Sequence, residues 1–355
     1  MTILWVNLGL VYIFSTFARY FSKPLLANSE YIRPNVLLTF FSALILILVS
    51  GLRINIGDTK AYMNSYSKTL FTWENIKGKK DIGFNIYQMV LQKVSVDPQF
   101  IIIITSLITN LIIILVLYKY SRIFELGVYV YITGGLFVTG MNGIRQFLAA
   151  AIVFSASKFL FNGNWKAYFL VILIAAQFHN TAYILLPIYF LVRRKAWSAS
   201  TLFLLIIAIG IVIGFNEFST VLFSALEDTQ YGGYKDIVYG GANIIRVFVY
   251  AVPIVIAYFG REKLSNINEN SDYIINMCIL GFVFMIISTQ DWIFARFTFY
   301  FGLYNIILIS WVTKLFNFKD EKLIYFLIIV FYFLYFYYEN VISLNIIYKS
   351  NYLDF

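Results

Sequence analysis

The chain has very little of what most protein chemistry draws on. Its single cysteine, Cys278, sits inside the apolar run NMCILGFVFMII, which excludes an intrachain disulfide. Its single histidine, His179, excludes a multi-histidine metal site, and no Cys/His cluster exists. No G-x-x-x-x-G-K phosphate loop is present, so nucleotide binding of that kind has no motif to carry it. Charged residues make up 13% of the 355 positions, where a soluble domain has about 25%. The net charge of +9 would point to nucleic acid in a soluble protein, but in an apolar chain Lys and Arg gather on cytoplasmic loops, and nucleic acid is set aside.

What is present is apolar surface. Hydrophobic residues are 61% and aromatics 20%, with a mean hydropathy of +0.78. The apolar runs recur at about the 17–25 residues that a helix needs to cross a hydrocarbon core. The chain therefore reads as an all-α, polytopic integral membrane bundle. Twelve spans are predicted, at about 2–18, 35–52, 99–118, 126–141, 145–161, 165–178, 180–192, 198–215, 243–259, 273–289, 296–313 and 322–339. No internal repeat appears, so residues 1–355 are expected to form one membrane domain with outer-face segments at 53–98 and 216–242. The N-terminus has neither a basic n-region nor a small-residue cleavage site, so it reads as a retained first helix.

Orientation follows from the basic residues. With the N-terminus outside, alternate short connections hold fifteen of the 27 Lys and Arg, from Arg19 to Lys322, and these would be cytoplasmic. The long segment 53–98 carries seven and opposes the bias, but the bias is counted over short loops. The stretch from Asn164 to Arg194 is split into two short helices, with a turn at His179 and Asn180 set below the outer surface in a recess.

Four separate segments then place polar groups on one outer face: Arg53 and Asp58; Arg145 in GMNGIRQ, flanked by Asn142 and Gln146; His179 with Asn180; and Asp291 with Arg296. Ionisable groups at span ends tend to face the bundle interior and mark substrate paths, against the alternative that long arginine stems snorkel to water. Arg145 stands just inside a helix start after a glycine-rich approach, where free N–H groups and the helix dipole favour phosphate. The planar forks of Arg53, Arg145 and Arg296 together would suit a diphosphate. His179 is a proton acceptor suited to neutral pH, or a packing residue. Asp58 is either a catalytic carboxylate or an N-cap accepting backbone N–H bonds at a helix from Thr59. The segment from Thr59 to Gln99 reads as amphipathic pieces lying against the outer leaflet, and Glu227, Asp228 and Asp236 mark a second, Tyr- and Gly-rich outer loop.

Taken in order, Arg53 ahead of GDTKAY (ending at Tyr62), DIGF at 81–84, RQFLAA from Arg145 and FHNTAYILLP around His179 resemble the EpsG branch of Wzy-like polysaccharide polymerases. The likeness covers roughly residues 45–195; Asp81 stands where the family usually has Glu, and Asn180 with Thr181 follow the histidine where a hydroxyl residue is common directly. The resemblance implies a GT-C-like membrane glycosyltransferase, multi-pass in the bacterial inner or plasma membrane, with its active site facing outside. It would extend a capsule, exopolysaccharide or O-antigen by moving a glycan from undecaprenyl diphosphate to a sugar hydroxyl of another lipid-linked repeat unit, alongside a chain-length regulator protein. In that reading Arg145 with Arg53 and Arg296 holds the diphosphate, and His179, ahead of Asp58, is the base. Tyr62, Asn142, Gln146, Asn180 and Asp291 would hold the glycan. No cofactor is expected, although Asp58 with Asp81, or Glu227 with Asp228, leaves a divalent ion open. Rival readings are a lipid-linked oligosaccharide flippase, whose polar residues should spread through the midplane with two-fold repetition, and a ligase or O-acyltransferase acting on envelope polysaccharide.

Overall fold

The computed structural model describes residues 1–24, 32–225 and 240–353. The predicted loop residues Glu227, Asp228 and Asp236 lie outside them. The chain packs as two compact units, Met1–Tyr189 with Ile309–Phe355, and Phe190–Leu308.

The first unit opens with α1 (Thr2–Tyr20), a two-residue hairpin of β1 (Lys23–Pro24) and β2 (Ile32–Arg33), and α2 (Val36–Gly51). Asn35 caps α2 by accepting the Leu38 N–H at 3.2 Å. Three amphipathic helices follow, α3 (Thr59–Lys68), α4 (Trp73–Ile76) and α5 (Ile82–Gln92), and then α6 (Pro98–Tyr120). Pro98 occupies the first helical position of α6, where its missing N–H costs nothing, and Asp97 caps the helix through the Gln99 N–H at 2.8 Å. The segment between α2 and α6 has a core of its own: Tyr66 and Phe84 pack with Ile101, Ile102 and Ile144. The Gln92 side chain ties it together, donating to the carbonyls of Tyr66 and Thr69 and accepting the Phe71 N–H.

Then come α7 (Phe124–Thr133), α8 (Leu136–Asn142), α9 (Ile144–Ser155), α10 (Ser157–Phe161) and α11 (Trp165–Phe178). The axes of α7 and α8 differ by 51°, and the bend falls at Gly134 and Gly135, the latter at φ +88°. Helix α9 packs against α6 and α11, with Ala149, Ala150 and Ala151 fully buried in the close approach that small side chains allow. On the far side of the unit, α1 and α7 are tied by an Arg19–Glu125 ion pair, beside which the Tyr12 and Tyr325 hydroxyls meet at 2.9 Å.

After α11 the chain runs through a 3-10 turn (Asn180–Ile184) into α12 (Leu185–Val192). The second unit holds α13 (Ala199–Ile213), α14 (Phe215–Ala225), α15 (Ile244–Phe259), α16 (Arg261–Ile267) and α17 (Ser271–Ile287). In it, α17 packs against α13 and α15, and Gly241 approaches the Thr289 backbone so closely that any Cβ would collide with it. Helix α18 (Thr298–Val312) leads back to the first unit, which ends with α19 (Phe318–Tyr337) and a π-helical turn (Tyr338–Ser343).

Helix occupies every one of the twelve predicted ranges. Four helices among the described residues are long and apolar enough to cross a membrane, and seven if each bent pair counts as one crossing. Five further apolar helices have 10–17 residues, so the number of crossings rests on how those short helices meet the bilayer.

Candidate functional site

Three local breaks in regular structure bring the polar residues of the first unit together. The first is at Asp81, the residue before α5, whose φ of +51° is the left-handed conformation that Asp tolerates better than most residues. Two positions on, Gly83 faces Gln177 of α11, and a Cβ there would lie 2.5 Å from the Gln177 Cβ. This glycine lets α5 sit directly on the end of α11. The second break is Gly143, which separates α8 from α9 and leaves Arg145 in the first turn of α9. The third is His179, extended at φ −156°, which ends α11 before the 3-10 turn.

The side chains at these breaks form one network with two bridges. Asp81 Oδ2 accepts from Arg145 Nη1 at 2.9 Å, while Asp81 Oδ1 accepts the backbone N–H of Asn180 at 3.1 Å. In parallel, Gln146 Nε2 donates to Thr181 Oγ1 at 3.1 Å, and Thr181 Oγ1 meets His179 Nδ1 at 2.7 Å. Adjacent residues on α9 thus hold both sides of the histidine's turn. Arg145 also points Nε at the Tyr62 hydroxyl at 3.4 Å and lies over the rings of Tyr62 and Phe84, 5.9 and 5.8 Å from their centroids.

Accessibility differs sharply within the network. The Arg145 side chain is 36% exposed, while Asp81 is 1% exposed and His179 is buried. Burial raises the Asp81 carboxyl above its ordinary value, against the opposing pull of Arg145, the Asn180 N–H and Lys80. A partly open guanidinium fixed by a buried carboxylate is suited to bind an anion from solution. A histidine whose ring is oriented by a hydroxyl at Nδ1 is suited to proton transfer.

Arg53, expected beside Arg145 as a second diphosphate ligand, is placed differently. It is fully buried, and its guanidinium donates to neutral oxygens: Thr59 Oγ1 at 3.0 Å, Met141 O at 2.6 Å, Ser106 Oγ at 3.3 Å and the Ser50 carbonyl. Ser50 and Met141 lie in the last turns of α2 and α8, so the arginine faces the negative ends of two helix dipoles. Its own carbonyl accepts from Gln99 Nε2 at 3.1 Å. This closed arrangement is a structural knot joining α2, α3, α6 and α8.

Asp58 stands at the N-cap position of α3 with an exposed side chain that makes no cap hydrogen bond, so of its two readings the capping one is not what the structure has. The loop is held instead by Asn142, whose Oδ1 accepts the Asp58 N–H at 3.0 Å and lies where a Cβ on Gly57 (φ +52°) would stand. Behind this loop the C-terminal segment is zipped on. Asn55 Nδ2 donates to Ile347 O at 2.6 Å, Asn55 Oδ1 accepts the Lys349 N–H at 2.7 Å, and Ile54 N–H reaches Lys349 O at 3.0 Å.

Asp291 and Arg296 belong to the second unit and have local roles there. Asp291 caps the 3-10 turn Trp292–Phe297 by accepting the Ile293 N–H at 2.9 Å, and Arg296 lies 4.7 Å from the centroid of the Trp292 ring. Two residues outside the predicted site prove central to the network, Asp81 and Thr181. The DIGF and FHNT motifs were the sequence signals for both. Among the described residues no group of three or more His, Cys, Asp or Glu side chains gathers as a metal site.

A family model described as the EpsG family matches residues 36–352. No curated protein matches the chain, and no solved structure does.

Proposed function

The chain belongs to the EpsG family, and from that premise we propose that it is a membrane polysaccharide polymerase that joins lipid-linked oligosaccharide repeat units. The donor is a glycan on undecaprenyl diphosphate, the acceptor is a sugar hydroxyl of a second lipid-linked unit, and the product is a longer surface polysaccharide. The observation that carries the reading is the double bridge: the family's motif residues at 81, 145–146 and 179–181 converge in one network with an accessible arginine and a buried histidine.

The reaction assigns these residues distinct tasks. The acceptor oxygen attacks the anomeric carbon of the donor glycan, the bond from that carbon to the diphosphate oxygen breaks, and the diphosphate leaves with the electron pair. Arg145 lies against this growing negative charge, aided by its place in the first turn of α9. His179 accepts the acceptor's proton, its ring held by Thr181. Asp81 is a positioning residue, fixing the guanidinium and the turn after the histidine in one register. Tyr62 and Phe84 offer ring faces to a sugar beside the arginine. Asp58, exposed at the start of α3, is placed to meet the acceptor glycan rather than to act as the base. The reading includes twelve crossings, with this network at the outer face as the basic residues of the short connections require.

The test is reconstitution of the purified chain with an undecaprenyl diphosphate repeat unit, resolving product length on a gel. A ladder that vanishes in both Arg145→Ala and His179→Ala, with each protein still monodisperse, supports the assignment. An unchanged ladder in both overturns the site, and a single product band with no ladder favours a ligase.

A further inference from the structure

At the other end of α6 lies a second feature that the transfer reaction does not use. A groove of about 310 Å³ runs between the last turns of α6 and the end of α9 with α10. Its walls are apolar, from Ile112, Leu115 and Val116 on one side to Phe159 on the other, and Lys119 and Lys158 belong to the same lining. Gln99, which anchors the Arg53 knot, and Lys119 are twenty residues apart on one unbroken helix, roughly 30 Å at the α-helical rise. That distance is about the thickness of a hydrocarbon core, so the groove and the Arg53 knot belong to opposite leaflets.

Among the described residues neither lysine forms an ion pair with a carboxylate. Lys119 leans on Tyr120, 5.1 Å from the ring centroid, and Lys158 on Phe159, at 4.6 Å. A ring face can hold an ammonium without neutralising it. Leu115 is 56% exposed on a helix apolar enough to cross a membrane, so this wall faces lipid rather than protein. An apolar channel open to hydrocarbon with two positive charges in its lining is complementary to an amphiphile that carries its negative charge next to its chains.

We infer that this groove binds one anionic phospholipid, its phosphate between Lys119 and Lys158 and an acyl chain along Ile112 and Leu115. A zwitterionic headgroup would bring its own cation against the two ammoniums and is disfavoured. A soluble phosphate would leave the apolar wall uncovered. The charge bias of the short connections assigns this end of α6 to the cytoplasmic face, where anionic lipids supply the ligand. Anionic lipid in that leaflet would then hold α6 against α9, whose first turn carries Arg145 and Gln146.

The test is native mass spectrometry of the full chain released from bilayers of equal parts phosphatidylcholine and phosphatidylglycerol. The unmodified chain retains one phosphatidylglycerol in preference to phosphatidylcholine. Changing Lys119→Gln and Lys158→Gln together lowers that preference by roughly 30-fold, the product of two lysine attractions at a membrane surface. Leu115→Trp, which fills the groove and keeps both charges, also loses the lipid. Lys60→Gln with Lys68→Gln, on α3 at the other end, changes nothing. Equal retention of the two lipids by the unmodified chain, or undiminished retention by the double lysine variant, overturns the inference. Retention by Leu115→Trp with loss in the lysine variant places the lipid on surface charges and overturns the groove as its seat.

Discussion

Arg53 and Arg145 open two motifs of the same family, and the structure gives them opposite surroundings. Arg53 is sealed in protein without a carboxylate, held by carbonyls and hydroxyls at the ends of two helices. Arg145 is paired with a carboxylate, yet it keeps a third of its side chain exposed. An arginine whose donors face fixed carbonyls shapes the fold, because nothing else can approach it. One held from behind by a buried carboxylate can still meet an anion in front. Motif membership alone does not separate these cases; the position of the guanidinium relative to helix ends does.

The sharpest way to test the contrast is on the open side. His179→Gln is expected to lower the transfer rate by about 10²–10⁴-fold, the usual worth of a general base, with unchanged thermal unfolding. Arg145→Ala follows at about 10²–10³-fold, again without loss of folded protein, measured as ladder formation by purified enzyme. If Arg145→Ala instead fails to fold while Arg53→Ala folds and merely loses activity, the comparison is inverted and the assignment of both residues falls.

Asp81→Asn probes the support of the open arginine. The isosteric, charge-free side chain still tolerates φ +51°, so it removes the ion pair without new backbone strain, and a misaligned guanidinium is expected to cost about 10²-fold in rate. Burial raises the Asp81 carboxyl, so the native protein takes up this proton more readily than the unfolded chain. Its contribution to stability is therefore most favourable at low pH and declines as pH rises through the native pKa. Activity runs the other way: it falls as pH drops through that raised value and the ion pair is lost. Asp81→Asn should erase this acid limb and should unfold at no lower temperature than the parent at neutral pH.

On the closed side the effect appears in stability. Arg53→Ala leaves buried carbonyls at Ser50 and Met141 without their donor, at about 1–3 kcal/mol each, and folded yield should fall accordingly. Arg53→Lys should recover little, because one ammonium cannot reach oxygens on four elements as a planar fork does. The smallest expected effect is Gly83→Ala, where crowding against Gln177 costs about 1–3 kcal/mol and tilts α5 away from α11. A chemical unfolding series would rank the two.

The sequence carried the helices well because their signal is a long apolar run. The short break at His179 was also readable, since basic residues at both ends of the Asn164 to Arg194 stretch required an even number of passes. Arg145 in a first turn followed from the glycines before it. Burial of Arg53 did not follow, because it depends on residues far along the chain: a backbone carbonyl at Met141 and one hydroxyl, Ser106, within an apolar helix. Asp81 was visible as one letter of a four-residue motif and as half of a carboxylate pair open to a divalent ion. Its role depends on meeting Asn180, 99 positions away, through a backbone N–H that no side-chain pattern encodes. Asp58 could be read as a cap as well as a catalytic carboxylate because Gly-Asp-Thr is a common helix start, but Asn142 holds that loop. The boundary between the two units falls within apolar helices, where composition does not change.

The zip between Asn55 and the C-terminal segment sets a different kind of constraint. Asn55 and Ile54 touch only backbone atoms of Ile347 and Lys349, so the contact reads spacing and is blind to side-chain identity. Substitutions at 347 and 349, proline at 349 excepted, should pass unnoticed, while one residue inserted between them would throw both amide contacts out of step. Over evolutionary time such a segment can change its letters at those two positions as long as it keeps its count, while Tyr348 between them, buried with its hydroxyl on the Val49 carbonyl, keeps its own.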